Sequence, residues 1–203
     1  MDRDQLIRLI RDAFSQTDHP GDGFLQGSRE GDDAFDAVEP FKGVTEWSSM
    51  TPAVLDEHHD AISFLSEGGF RFFLPAFLIA DINDQLMTAD PVFHLASSFD
   101  DATVRVPLGD EVLERRIGKS VLLNPRRYGA MTFEDYARFR LSVFTREESA
   151  AIVAYLEYRR SLANAVDGRD IEAALESFWN SRSQQAPTHS QLAEHVAAEE
   201  AFT

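Results

Sequence analysis

The sequence predicts a mainly α fold: a compact multi-helix domain around a buried Phe-rich helix, with at most one small β-hairpin. Three observations predict it. The stretch from Ala61 to Ile82, A-I-S-F-L-S-E-G-G-F-R-F-F-L-P-A-F-L-I-A-D-I, holds five of the sixteen phenylalanines. Helix-start signals recur along the chain, among them Thr51-Pro52, Asp90-Pro91 and the capping box Thr145-Arg146-Glu147-Glu148, with apolar residues at helical spacing behind them. Strand-like alternation is confined to Thr103-Val104-Arg105-Val106, which Val121-Leu122-Leu123 can pair.

The first helix is expected over Asp4 to Ser15, with Leu6, Ile10 and Phe14 on one face and Arg8, Arg11 and Asp12 in water. His19-Pro20-Gly21 breaks it. Residues 21–31 form a polar loop without the lysine-bearing pattern of a phosphate loop, and Asp32 to Val38 reads as a short helix. Trp47 is expected to cap the edge of the core, with its N–H on a backbone acceptor. From Thr51-Pro52 a helix is expected to run to about Leu65, with Val54, Leu55, His58, Ala61, Ile62 and Leu65 on its apolar side.

The central stretch follows. Phe72 to Ala80 carries no charge, and such a run is far shorter than the ~20 residues a bilayer crossing needs, so it is core. Fully burying a Phe or Leu contributes roughly 1.5–3 kcal/mol, which makes Phe64, Phe70, Phe72, Phe73 and Phe77 the expected heart of the packing. Gly68-Gly69 reads as a helix stop and Pro75 as the start of a buried helix reaching about Met87, with Leu74 extended before it. One helix kinked at Pro75 is the alternative. Arg71, set among phenylalanines, must be paired or must reach water; Glu67, Asp81 and Asp84 are the nearby carboxylates, and an anion-binding role is the other option.

Beyond it, Pro91 to Ser97 is expected to be helical and anchored by Phe93 and Leu95. A basic cluster runs from Arg115-Arg116 through Lys119 to Arg126-Arg127; it is read as compensating the acidic residues of the same fold, with phosphate binding as the other reading. Helices are expected from Thr132, with Tyr136, Phe139 and Leu141 apolar, and from Thr145, with Ile152, Tyr155, Leu156 and Leu162 as the stripe. Asp167-Gly168 is read as ending the latter, and Asp170 to Ser181 as a helix with Ile171, Leu175 and Phe178 inward. Residues 1–183 are thus expected to be a single helical domain, and 184–203 a polar linker with a weak C-terminal helix or tail that Ser190 caps.

The segment from Phe64 to Phe77, F-L-S-E-G-G-F-R-F-F-L-P-A-F, preceded by Trp47, resembles the signature of an uncharacterised bacterial family, whose pattern is like F-L-S-x-x-G-F-R-F-Y-L-P-A-F. Phe73 stands where that pattern has tyrosine, so no hydroxyl acts at this position. The likeness spans roughly Leu6 to Leu156 and is strong over Trp47 to Ile79. It implies no activity; it does imply a bacterial protein, and with no apolar leader in residues 1–18 the expected compartment is the cytoplasm.

Charge carries the functional expectation. The formal net charge is −16, and residues 1–101 alone hold six Lys/Arg against twenty Asp/Glu, a net of −14. Such a surface repels nucleic acid and anionic lipid and favours a basic protein partner. The expected binding face comprises Asp22, Asp32, Asp33, Asp36, Glu39, Asp56, Glu57 and Asp60; Trp47, Phe64, Phe70, Arg71, Phe73, Pro75 and Phe77 are expected to be structural. No cysteine is present, which removes disulfide and thiolate chemistry. No G-x-S-x-G, H-E-x-x-H or G-x-G-x-x-G occurs, and no cofactor is expected. The leading expectation is a non-catalytic binding protein, in its sharpest form an immunity-type toxin inhibitor. Asp56, His59 and Asp60 share a helix face by spacing, so a small metal-dependent hydrolase is one alternative, with His94 the nearest further histidine. A self-associating structural subunit is the other.

Overall fold

α1 (Arg3–Ala13) opens on Asp2, whose carboxylate accepts from the Gln5 amide while the Gln5 side chain accepts from the Asp2 amide. This closes a capping box, and Leu6, Ile10 and Phe14 turn inward as their spacing requires. The structure, a computed structural model, describes residues 1–27, 32–99, 102–109, 111–117, 129, 131–164 and 167–200. α2 (Asp33–Val38) buries Ala34, Ala37 and Val38 and leaves its carboxylates in water. Two short 3-10 turns, Glu39–Phe41 and Trp47–Ser49, lead to α3 (Pro52–Glu57).

Thr51 caps α3 as expected, but the helix does not reach Leu65. His58, His59 and Asp60 are weak helix formers, and the chain turns there before resuming as α4 (Ala61–Phe64). Ala61, Ile62 and Leu65 are still buried, while Phe64 is only half-buried.

α5 (Glu67–Ile82) is the central element, and it corrects the expected break. Ser66 caps it by accepting from the Gly69 amide, and its own hydroxyl donates to the Phe24 carbonyl. Gly68 and Gly69 form the first turn rather than a stop. They serve close packing: a Cβ at Gly69 would lie 2.9 Å from the Leu25 carbonyl oxygen, and one at Gly68 would lie 3.3 Å from Pro20. The helix passes through Pro75 and ends at Ile82, short of Met87. Proline in a helix interior forfeits one backbone bond; here Pro75 is buried between Leu74 and Ala76, within the phenylalanine layer. Phe73 meets Phe41 at 5.0 Å and Phe72 at 4.9 Å, both edge-on, so the ring standing in place of tyrosine lies in apolar surroundings.

α6 (Pro91–Ala96) is capped by Asp90 and buries Leu95; Phe93, expected as an anchor, is instead 59% exposed. β1 (Ala102–Leu108) pairs antiparallel with β2 (Glu111–Ile117), from Ala102 opposite Ile117 to Leu108 opposite Glu111. The two-residue connection starts at Gly109 with φ of 64°, the left-handed value tight hairpins use. The partner strand is therefore 111–117 and not Val121-Leu122-Leu123, which lie outside the described residues. So do Lys119, Arg126 and Arg127, and of Arg115 and Arg116 only the strand backbone is described.

α7 (Phe133–Leu141) starts with a Thr132–Asp135 capping box and buries Leu141, whereas Phe139 faces water. α8 (Arg146–Leu162) starts at Thr145 and buries Ile152, Tyr155 and Leu156; Leu162, at its end, is exposed. Asp167 and Gly168 begin the next helix instead of ending this one. That helix, α9 (167–185), consists of Asp167–Ala174, a π segment Leu175–Trp179 and Asn180–Gln185. The wider π turn lets the adjacent Phe178 and Trp179 both bury, and the Trp179 indole N–H donates to the Leu95 carbonyl at 2.8 Å. The indole tied to backbone is thus Trp179's; Trp47 sits half-buried beside α5.

Most of the described residues are helical, and α5 touches α1, α3, α6 and the Trp47 turn. α8 packs against α1 on one side and α9 on the other. Segment 184–188 is less of a free linker than expected: Ala186 is buried, and the Arg146 amide donates to the Pro187 carbonyl. α10 (His189–Glu200) starts from Thr188, not Ser190; His189 Nε2 meets the Ala13 carbonyl at 2.8 Å, and residues 193–199 are exposed. Among the described residues no helix is long and apolar enough to cross a membrane.

Candidate functional site

The acidic face is built on α2 and the turns around it. Asp22 heads the 3-10 turn Asp22–Phe24, and its Oδ1 accepts from the Gly43 amide at 2.9 Å. The neighbouring Lys42 is ion-paired with Glu39, and its Nζ stands 4.2 Å above the Phe35 ring centroid. These contacts knit Asp22, Glu39, Lys42 and Phe35 into one patch, flanked by the exposed Asp32, Asp33 and Asp36. Two large aromatics face water here: Phe24 is 74% exposed and Phe35 50%. The charge pattern had located the carboxylates; the outward phenylalanines were missed, because an isolated Phe in a sequence reads as core. Glu57 and Asp60 are exposed at the end of α3 and the start of α4, and α4 packs on α2.

Asp56 does something else. Its Oδ1 accepts from the amides of Met87, Thr88 and Ala89 at 2.9, 2.7 and 3.0 Å, so it pins the loop after α5. Those backbone donors, Thr88 and Ala89 foremost, hold its carboxyl below the usual carboxylate range. His59 and Asp60 are exposed, and among the described residues no three His, Asp or Glu side chains gather as metal ligands. His94 lies on α6, where burial, aided by the charge of Arg140, lowers its pKa from the ordinary 6.5 to about 4.

Arg71 is paired, but with none of Glu67, Asp81 or Asp84. Its Nε donates to both oxygens of Glu148, at 3.0 and 2.8 Å. Glu148 is fully buried; it also accepts from the Thr17 hydroxyl at 2.5 Å and from the Thr145 amide at 2.8 Å. The Thr145–Glu148 box was legible as a cap, and nothing local marked the same carboxylate as the partner of an arginine 77 residues away. Asp81 binds the Tyr155 hydroxyl at 2.5 Å and Arg159 at 3.0 Å. Burial raises the Asp81 pKa against the pull of both partners, and burial with the Asp81 charge pushes Tyr155 well up. Arg159 and Asp90 line a cavity of about 440 Å³, closed by α6 on one side and Asp170 and Ile171 of α9 on the other. Asp84 pairs with Arg3 at the surface, at 3.4 Å.

No curated protein and no solved structure matches the chain. A family model does, over residues 2–183, which is most of its length and takes in the acidic patch, α5 and the Arg71–Glu148 pair alike. The chain therefore belongs to that family, described as a family of unknown function, DUF6714.

Proposed function

We propose that this is a non-catalytic binding protein that offers the acidic surface of its first half to a basic protein partner. The observation that carries the reading is the exposed pair Phe24 and Phe35, set among Asp22, Asp32, Asp33, Asp36 and Glu39. Aromatic anchors inside a charged rim are the composition of protein-binding surfaces. The rim accelerates encounter with an oppositely charged partner, and the rings supply contact area once water is excluded. A net charge of −14 over residues 1–101 works against nucleic acid and anionic lipid as alternatives.

In its sharpest form the protein is immunity-type, held in a bacterial cytoplasm, where it occludes a basic toxin such as a nuclease. The test is affinity capture from the native host with the wild type and with a Phe35→Ala, Asp33→Lys, Asp36→Lys variant, over a salt series. The expected result is a basic protein that the wild type retains at low salt and loses at high salt, and that the variant fails to retain. A tight partner indifferent to both ionic strength and the substitutions overturns the reading. For the toxin form, co-expression with that partner must relieve growth arrest.

A further inference from the structure

A second recess lies away from the acidic patch, between the end of α1, the Trp47 turn and α5, with a volume of about 210 Å³. Its floor is Ala76 and Ala80, one helical turn apart on α5, with Ile79 between them. Small side chains there leave a hollow that the half-buried Trp47 indole walls on one side and Met50 and Leu55 extend. Every lining residue belongs to the half of the chain that carries −14, yet the single charged side chain on the lining is Arg11. Chance placement in so acidic a surface favours the opposite sign.

The polar groups at the rim point the same way. Among the described residues, the Arg11 guanidinium, the Asn83 and Gln85 side-chain amides and the Trp47 indole N–H have no hydrogen-bond partner within the protein. All four carry donors, and guanidinium and indole are donors only. Of the carboxylates next to these residues along the chain, Asp84 is engaged by Arg3, and neither Asp12 nor Glu46 is among the residues that line the recess. A small hollow with an apolar floor, ringed by unused donors and one positive charge, is complementary to a ligand with a flat hydrocarbon body and one anionic group. A single guanidinium matches a carboxylate, which accepts two parallel hydrogen bonds from it.

We propose that this recess binds a small aromatic monocarboxylate, its ring against Trp47 over Ala76 and Ala80 and its carboxylate on Arg11. The inference is independent of the basic-partner reading and stands or falls separately. Trp47 is half-buried while Trp179 is fully buried, so tryptophan emission reports on the recess. The probe is phenylacetate titrated into the full chain, beside the neutral isostere phenylacetamide, acetate without the ring, and an Arg11→Gln variant. Arg11 is exposed, so the variant is expected to fold, which its circular dichroism checks.

The expected result is a saturable change with phenylacetate, weakened about tenfold in Arg11→Gln and about tenfold weaker again for either control ligand. No saturable change, an equal response to phenylacetamide, an equal response to acetate, or an Arg11→Gln variant that binds as the wild type does each overturns it. Amide shifts in an ¹⁵N spectrum must move at 47–50 and 76–85; shifts confined elsewhere place the ligand at another site and overturn it as well.

Discussion

At the scale of single residues, the two ends of the Arg71–Glu148 pair behave as one unit. Glu148 has no exposed side-chain surface and the Arg71 side chain is 15% exposed. Removing one partner leaves a charge in the interior, which costs about 3–5 kcal/mol. Urea denaturation of Glu148→Ala and Arg71→Ala is expected to show losses of that size, with the double variant well short of their sum. The need for a partner was legible at Arg71 from its phenylalanine neighbours. Its identity was not, because ion pairing between α5 and α8 depends on how helices pack and leaves no local spacing. His94 gives a second test. Its folded pKa, about 4, lies below its unfolded value near 6.5, so the unfolded state binds the proton first as pH falls. The stability it contributes is complete above pH 6.5 and declines down to about pH 4, by on the order of 3 kcal/mol. His94→Gln should flatten the unfolding free energy across that window; a slope equal to the wild type's would exclude His94 as its source.

At the scale of elements, glycines divide by what lies beside them. Gly-to-Ala in a helix ordinarily stabilises by about 1 kcal/mol. Gly168, in the first turn of α9, has open space where a Cβ would go, so Gly168→Ala should raise the melting temperature. Gly69, in the first turn of α5, would place its Cβ 2.9 Å from a backbone oxygen, so Gly69→Ala should lower it in spite of better propensity. Thermal melts of the two variants decide the matter, since a propensity-only account gives both the same sign. The contrast explains what could be read from the chain. Caps at Thr51, Asp90, Thr132 and Thr145 were legible, because a cap is a bond between residues three apart. Gly68-Gly69 and Pro75 were misplaced, because their reasons lie in Pro20, Leu25 and the surrounding rings. The hairpin partner was missed because its turn, not its apolar content, sets the register.

At the scale of the whole molecule, acidity and apolarity are laid out on one plan: α5 under α1, α3 and α6, and carboxylates over α2 and its turns. The charge imbalance and the phenylalanine layer were both visible in composition and order alone. Which carboxylates hold the protein together was not, and Asp56 shows why: three loop amides converge on it only once α5 has turned the chain back. The same holds at the far end. His189 meets Ala13, and Pro187 meets Arg146, so residues 187–189 clasp the end of α1 and the start of α8. Trimming the polypeptide to the span the family shares would sever that clasp. A version ending at residue 183 should melt lower, by about 2–4 °C for each kcal/mol lost, while one ending at 194 should melt with the intact chain.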